Sequence, residues 1–224
     1  SNAIISFGPT PSSAQGSTLG GLLDTTTQTG TVGAIDRLSE LDTLNVRYSH
    51  SLTEYSTSSA SSTIKSDIAT IGWSRTLSPN LTAELGGGGI LVPGLTTYAA
   101  NASLIMNFPN NRATVGFVRS AFPSFALTPI VLVGNMFSLS AVQRISQQWQ
   151  LAEAVVYSQS SGGSGLQTLA FDSYFAAADL YYWVTRIWST SLSFDYMKFH
   201  SEAGSFRTDF DRMALTLSVR AMWD

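Results

Sequence analysis

The chain contains no cysteine, which excludes disulfides and thiolate-ligated metal sites. It is also poor in charge: Asp, Glu, Lys and Arg make up 12% of its 224 residues, about half the usual share of a soluble globular protein. A water-exposed surface normally carries many such side chains. This composition therefore cannot supply an ordinary soluble surface.

Long apolar runs are missing as well. No stretch of about 18 uninterrupted apolar residues occurs, which argues against a transmembrane helix. The net charge of −3 offers no basic footprint for a nucleic acid. Four glycines at 86–89 are followed by neither Lys-Ser nor Lys-Thr, so we expect a bend or a close backbone approach there, not a phosphate loop. No cofactor and no metal are expected.

The chain does contain abundant alternation of apolar and polar residues. The final segment, 211–224, places six apolar residues on one face: Met213, Leu215, Leu217, Val219, Ala221 and Trp223. A period of two predicts a β-strand with one apolar and one largely polar face. Ten such strands are predicted from about residue 41 to the end. In the segment 149–158, Glu153 has the apolar parity of Trp149, so a β-bulge or a slip is predicted there.

The N-terminal part has a different composition. Residues 1–3, Ser-Asn-Ala, look like the remnant of an expression tag. Residues 4–40 are rich in Gly, Ser and Thr and sustain no strand period. We predict a linker or a lumen plug for 4–40 and a β-domain for 41–224.

The breaks between predicted strands alternate in length. Tight breaks lie at 78–80, 109–111, 146–148 and 186–189; looser ones lie at 56–63, 87–95, 122–129, 159–166 and 200–206. This alternation, with an even strand count, is typical of an all-β, antiparallel up-and-down transmembrane β-barrel. The competing interpretation is a soluble all-β sandwich or barrel, whose outward face would be charged.

Aromatic residues and inward charges complete the predicted barrel. The expected membrane-interface anchors near the tight turns are Trp73, Trp149, Trp183, Trp188 and Trp223. The predicted lumen-lining charges are Arg47, Glu84, Arg112, Arg144, Asp179, Asp195 and Arg220. These charges either select solutes along a pore or, since they nearly balance, pair across a narrow lumen.

Two histidines raise an enzymatic alternative. His50 and His200 each precede a serine, Ser51 and Ser201, and a serine hydrolase needs a Ser activated by a His. Adjacent residues of a strand point to opposite faces, so neither pair can form a dyad directly. A non-enzymatic role is therefore favoured.

The last strand resembles the C-terminal signal of Gram-negative outer-membrane β-barrels, which closes on an aromatic residue, here Trp223. Asp224 departs from that pattern and is expected to be a periplasmic carboxylate. The resemblance covers residues 41–224. It implies a bacterial outer-membrane location, short periplasmic turns, longer extracellular loops, and the lipid bilayer and the insertion machinery as partners. The turns with Arg and Ser are also similar to those of barrels associated with exopolysaccharide-export loci.

Three functions follow as expectations. The first is a narrow passive pore for small solutes. The second is a structural or interaction barrel that docks a partner with its lumen closed, and the third is a membrane-embedded esterase. If the native chain is longer, the predicted strands would form part of a larger barrel.

Overall fold

The computed structural model describes residues 2–10, 24–56, 61–123, 131–164, 167–185, 187–203 and 206–221. Every regular element in these ranges is a β-strand. The strands are β1 (Asn2–Thr10), β2 (Asp24–Arg37), β3 (Asp42–Ser56), β4 (Ser61–Ser78), β5 (Leu81–Val92), β6 (Leu95–Asn107), β7 (Asn111–Pro123), β8 (Val131–Arg144), β9 (Trp149–Ser164), β10 (Gln167–Trp183), β11 (Trp188–Ala203) and β12 (Phe206–Ala221). Within these ranges no helix is long and apolar enough to cross a membrane.

The twelve strands follow one another in the sheet in chain order, so the topology is up-and-down. The all-β antiparallel prediction is thus confirmed. The predicted number of ten strands was too low, because β1 and β2 were not foreseen. No pairing between β1 and β12 is found among the described residues, and the sheet is open at these two edges.

Strand β2 occupies residues predicted to belong to a segment without strand structure. It pairs with β3 in unbroken antiparallel register from Asp24–Ser56 to Arg37–Thr43. Hydroxyl groups join the two strands: Thr27 Oγ1 lies 3.2 Å from Thr53 Oγ1, and Thr31 Oγ1 lies 3.3 Å from Ser49 Oγ. Threonine favours strands and pairs across them, but it adds no apolar alternation for a sequence pattern to detect.

The predicted looser breaks are mostly continuations of strands. Strands β5 and β6 meet at a two-residue turn, Pro93–Gly94, where Gly94 takes the positive φ of 78° that favours glycine. Only residues 165–166 separate β9 from β10, and only 204–205 separate β11 from β12. The tight turns predicted at 78–80, 109–111 and 146–148 are confirmed to within one residue, whereas the break predicted at 186–189 lies earlier, because β10 ends at Trp183 and β11 begins at Trp188.

A hydroxyl group organises three of the turns at the other end of the strands. Ser39, Ser146 and Thr185 each accept two backbone N–H groups, from residues two and three positions further on, at 3.0–3.2 Å. Such local bonds stabilise tight turns. In the last of these turns the hydroxyl group belongs to a threonine, Thr185.

The chain divides into two compact units. Unit 1 comprises Ser1–Arg75, Glu84–Asn101 and Arg119–Val133; unit 2 comprises Thr76–Ala83, Ala102–Val118 and Gly134–Asp224. Unit 1 contains a small buried cluster, Ile90, Val92 and Ala99, with Ile68, Leu95, Ala121 and Val131 packed against it. Every strand from β2 to β12 exposes large apolar side chains.

The four-glycine stretch lies inside β5 and brings two strands into close contact. A Cβ atom at Gly88 would overlap the carbonyl oxygen of Ala69 on β4, and one at Gly86 would overlap the side chain of Asn101 on β6. Nothing lies within 4 Å of a Cβ at Gly89. The expected close backbone approach is confirmed.

We expect Gly88→Ala to lower the free energy of unfolding by about 1–3 kcal/mol, because the new methyl group must displace the backbone of β4. Gly89→Ala is the matched control and should leave stability nearly unchanged. Denaturant titration monitored by circular dichroism measures both. Equal effects of the two substitutions would contradict the close approach.

Candidate functional site

The strand registers define two chemically different faces in unit 1. Val46 on β3 lies opposite Ala34 on β2 and Ile71 on β4. Its neighbour Arg47 lies opposite Gly33 and Thr70. We call the face that carries Val46 the apolar face and the face that carries Arg47 the polar face. On the polar face, small and hydroxyl side chains dominate β2, β3 and the turn-proximal half of β4.

Unit 2 continues the same pattern over β9–β12. Leu192 on β11 lies opposite Leu180 on β10 and Leu217 on β12, and Phe194 lies opposite Ala178 and Leu215. On β12 the exposed fractions of Met213, Leu215, Leu217 and Val219 are 67–73%. We call the apolar-face positions of 149–157, 174–182, 188–196 and 213–221 the apolar band. From Met213 to Ala221 it extends about 26 Å along the strand, at about 3.3 Å per residue.

The apolar band ends abruptly at charged cross-strand pairs. On the same face, Lys198 lies opposite Asp211, His200 opposite Asp209, and Glu202 opposite Arg207. We call these six residues the rim cluster. His200 Nδ1 lies 2.5 Å from Asp209 Oδ1, His200 Nε2 lies 3.2 Å from Glu202 Oε1, and Arg207 Nε donates to Asp209 Oδ2 at 3.3 Å.

These contacts shift two pKa values in opposite directions. The hydrogen bond to Asp209, and then the one to Glu202, hold the pKa of His200 above its usual 6.5. The hydrogen bond from His200, followed by the positive charge of Arg207, holds the pKa of Asp209 below its usual 3.8. The rim cluster thus favours an imidazolium–carboxylate pair.

A second polar group lies on the apolar face of β3 and β4. Tyr48 Oη donates to Asp67 Oδ1 at 2.6 Å, and His50 Nδ1 lies 2.7 Å from the same oxygen. Ser51 lies on the polar face, opposite Thr29 and Ser66. Each histidine is therefore brought to a carboxylate and not to its neighbouring serine. In the described ranges, no group of three His, Asp or Glu side chains is placed to hold a metal ion.

The predicted lumen charges follow the polar face where the register defines it. Arg47 is placed there, as are Asp179 opposite Ser193, Asp195 opposite Ala214, and Arg220 opposite Ser189. Glu84 lines a small cavity of about 100 Å³ with Asn45 and Asn101. Among other charged residues, Asp42 pairs with Arg75, and both histidines pair with carboxylates.

Arg112 and Arg144 are placed by a glycine contact. A Cβ at Gly116 would lie 2.9 Å from Ser138 Oγ, so the even-numbered residues of β7 and β8 around this contact share a face that includes both arginines. Arg144 also lines an open cavity of about 710 Å³ at the turn end of unit 2. The other lining side chains include Gln148, Gln150 and Trp183.

The predicted tryptophan anchors divide between the faces. Trp73, Trp149 and Trp188 lie on the apolar face near the turns, and the rings of Trp149 and Tyr182 are 4.4 Å apart. Trp183, in contrast, lies on the polar face, opposite Ser189 and next to Tyr181. Consecutive strand residues cannot share a face, so only one of Tyr182 and Trp183 could be an apolar-face anchor. Trp223 and Asp224 lie outside the described residues.

The bulge predicted at Glu153 is wrong. Strands β9 and β10 pair without interruption from Trp149–Tyr182 to Ser164–Gln167, and Glu153 lies opposite Ala178 on the apolar face. With Leu139, Ala141, Val155, Ala176 and Phe194, among others, it lines a depression of about 380 Å³. Glu153 has the same parity as Trp149 and Leu151 because it lies on the same face, and no bulge or slip is needed to explain it.

The rim cluster is expected to depend on pH in two directions. Because the pKa of His200 is raised, its protonated form contributes to the stability of the fold. This contribution is complete below pH 6.5 and is lost as the pH rises through the folded-state pKa. Because the pKa of Asp209 is lowered, its ionised form also contributes to stability. This contribution is present above about pH 3.8 and is lost as the pH falls through the folded-state pKa. We expect the pairing to be strongest between these limits.

Asp209→Asn should therefore bring the pKa of His200 down toward 6.5, because the largest cause of its elevation is removed. An NMR titration of the imidazole protons measures this, with His50→Gln assigning the two histidine signals. Glu202→Gln is the control and should lower the pKa of His200 less. An unchanged pKa in Asp209→Asn would contradict the geometry.

Comparison with models of known protein families gives no match for this chain, and comparison with curated protein sequences gives none either.

Proposed function

We propose that this chain is a bacterial outer-membrane β-barrel whose apolar face contacts lipid. The observation that carries the proposal is the apolar band of β9–β12, which is exposed along β12, exposes large apolar side chains on β9, β10 and β11 as well, and ends at the rim cluster. A strand tilted by about 40° would convert the band's length of about 26 Å into a height of about 20 Å. With its aromatic ends, this approaches the apolar band of about 25 Å that is typical of such barrels.

The backbone supports the same proposal. In hydrocarbon every N–H and C=O group must be bonded within the protein, which an up-and-down antiparallel ladder achieves if its two edges meet. Closure would require β1 to pair with β12. A barrel closed from these twelve strands alone would have an even strand number, as in bacterial single-chain barrels, and would leave more room than the smallest eight-stranded barrels do.

The membrane setting is tested by the behaviour of the purified protein. Lipid contact predicts that it needs detergent to stay in solution, because the apolar face is otherwise exposed to water. An unheated sample should also migrate differently from a boiled one on an SDS gel, because a closed barrel resists the detergent. A monomer that stays soluble without detergent would refute the proposal.

Within that setting, the function supported best is a narrow passive pore. The polar face would line the lumen with Ser, Thr, Gly and Asn side chains, which leave space for water. Four arginines and three carboxylates would control the passage of charged solutes. The open cavity around Arg144 would form part of a polar mouth at the turn end.

A specific observation favours a second candidate, an interaction barrel with a closed lumen. A Cβ atom at Gly86 would point toward the side chain of Asn101. Glu84 has the same parity as Gly86, so the even-numbered residues of β5 share the face that carries Glu84. Ile90 and Val92 share that parity and are 1% and 4% exposed. An apolar cluster on the lumen side would narrow the passage at the end away from the tight turns. The esterase alternative gains no support, since Ser51 and Ser201 lie on the face opposite to their neighbouring histidines.

Single-channel recording in planar bilayers distinguishes the two candidates. A pore predicts resolvable current from the wild-type chain, and a closed lumen predicts none. If the Ile90 cluster is the constriction, Ile90→Ala should raise the conductance or create one, because it removes a fully buried side chain. Leu91→Ala, on the opposite face and 55% exposed, is the control and should change nothing.

Heat-dependent gel migration of both variants verifies that they still fold, because large-to-small changes in a core destabilise by about 2–5 kcal/mol. The absence of current from the wild type and from folded Ile90→Ala would contradict the pore.

A further inference from the structure

Glu153 is an acidic side chain in the middle of the apolar band. On β9 it stands between Leu151 and Val155, with Trp149 and Tyr157 at the two ends of the band. It is exposed, and the described part of the chain provides it with no hydrogen bond and no ion pair. An ionisable group on a lipid-facing wall costs free energy and is retained where it has a function.

The surroundings of Glu153 are unusually small. Ala178 lies directly opposite on β10, Ala176 follows on the same face, and Ala141 lies on β8. Together they leave the depression of about 380 Å³, bordered by larger side chains such as Leu139 and Phe194. Small residues let two membrane-embedded surfaces approach closely and let polar side chains bond across the contact.

We propose that a second copy of this chain docks on this depression, about a twofold axis that passes beside Glu153. In a twofold contact the same patch faces itself. A protonated carboxyl group both donates and accepts a hydrogen bond, so two Glu153 side chains satisfy each other with reciprocal O–H···O bonds. The described apolar band of β9–β12 carries no Lys, Arg or His, so Glu153 is the ionisable group that each copy presents there.

The available surface is adequate for such a contact. The band is about 26 Å long and spans β9–β12, together with β8 beside Glu153, at about 4.8 Å per strand. Its projected area is therefore roughly 600 Å², and the accessible area of a pleated surface is larger. A standard interface buries about 800 Å² per partner, so this face is of the right order.

The proposal rests on the membrane setting and is tested by single cysteines, which the cysteine-free chain permits without prior substitutions. In detergent or in bilayers, Glu153→Cys should form a disulfide-linked dimer on oxidation, because the two sulfur atoms meet at the axis. Leu217→Cys, exposed on β12 of the same face, is the matched control and should cross-link at least tenfold less. Equal cross-linking at both positions, or none at 153, would overturn the proposal.

A second pair of variants tests the hydrogen bonds. Glu153→Gln keeps a donor and an acceptor and should leave the monomer–dimer constant within about threefold of wild type. Glu153→Leu removes both and should weaken dimerisation about five- to thirtyfold, as expected for two hydrogen bonds. Analytical ultracentrifugation in detergent measures the constants. If the Glu153→Leu variant dimerises as strongly as the Glu153→Gln variant, hydrogen bonds of residue 153 do not stabilise the dimer, and this part of the proposal is overturned.

Failure of this proposal is distinguishable from failure of the proposed function. A wild-type chain that needs detergent and migrates differently after heating, yet remains monomeric, overturns the dimer and leaves the barrel. A wild-type chain that is soluble without detergent refutes the membrane setting, and with it the basis of this proposal. A cationic partner in place of a second copy would appear as monomeric purified protein, which also overturns the dimer.

Discussion

The register between neighbouring strands is the constraint on which the other features depend. Side chains alternate with a period of two, so a shift of one residue would move Leu192 from the apolar face to the polar face and bring Ser193 in its place. The pairings of β9 with β10, β10 with β11 and β11 with β12 run without a bulge, and each of these strands therefore keeps one face for its full length. The separation of an apolar face from a polar face on β9–β12 follows from this continuity.

Continuity of register also explains why Glu153 stays on the apolar face. A bulge would have turned its side chain away, at the cost of an unpaired residue in the ladder. The chain instead keeps β9 paired with β10 without interruption and tolerates a carboxyl group among alanines. In the proposed membrane setting a carboxyl group on this face would be costly, and its presence at an intact backbone position favours a role in contact over an accident of folding.

Much of the fold could be predicted from the sequence, because the dominant signal is local. Alternation located ten strands, and the turn residues located the four tight connections. Strand β2 is not predicted by alternation, because threonine hydroxyls join it to β3 and such pairing leaves no apolar pattern. The strand extensions beyond the apolar band escaped for a similar reason: at 198–212 charged residues occupy the apolar parity, so alternation of hydropathy ends while the ladder continues. The partners of His50 and His200 lie on neighbouring strands, which a single strand pattern cannot identify.

The two histidine groups share a chemical design in both units. Each histidine lies on the apolar face and directs Nδ1 to an aspartate on the next strand, Asp67 for His50 and Asp209 for His200. At the rim cluster the chemistry changes from Tyr196–Met213 to Lys198–Asp211 within one step of two residues, a distance of about 7 Å along the strand. So sharp a change is what an abrupt boundary between hydrocarbon and a polar phase would select. In the proposed membrane barrel, the rim cluster would also set the depth of insertion, because moving it into the apolar phase would remove water from both charges of each pair, which costs more free energy than their attraction returns.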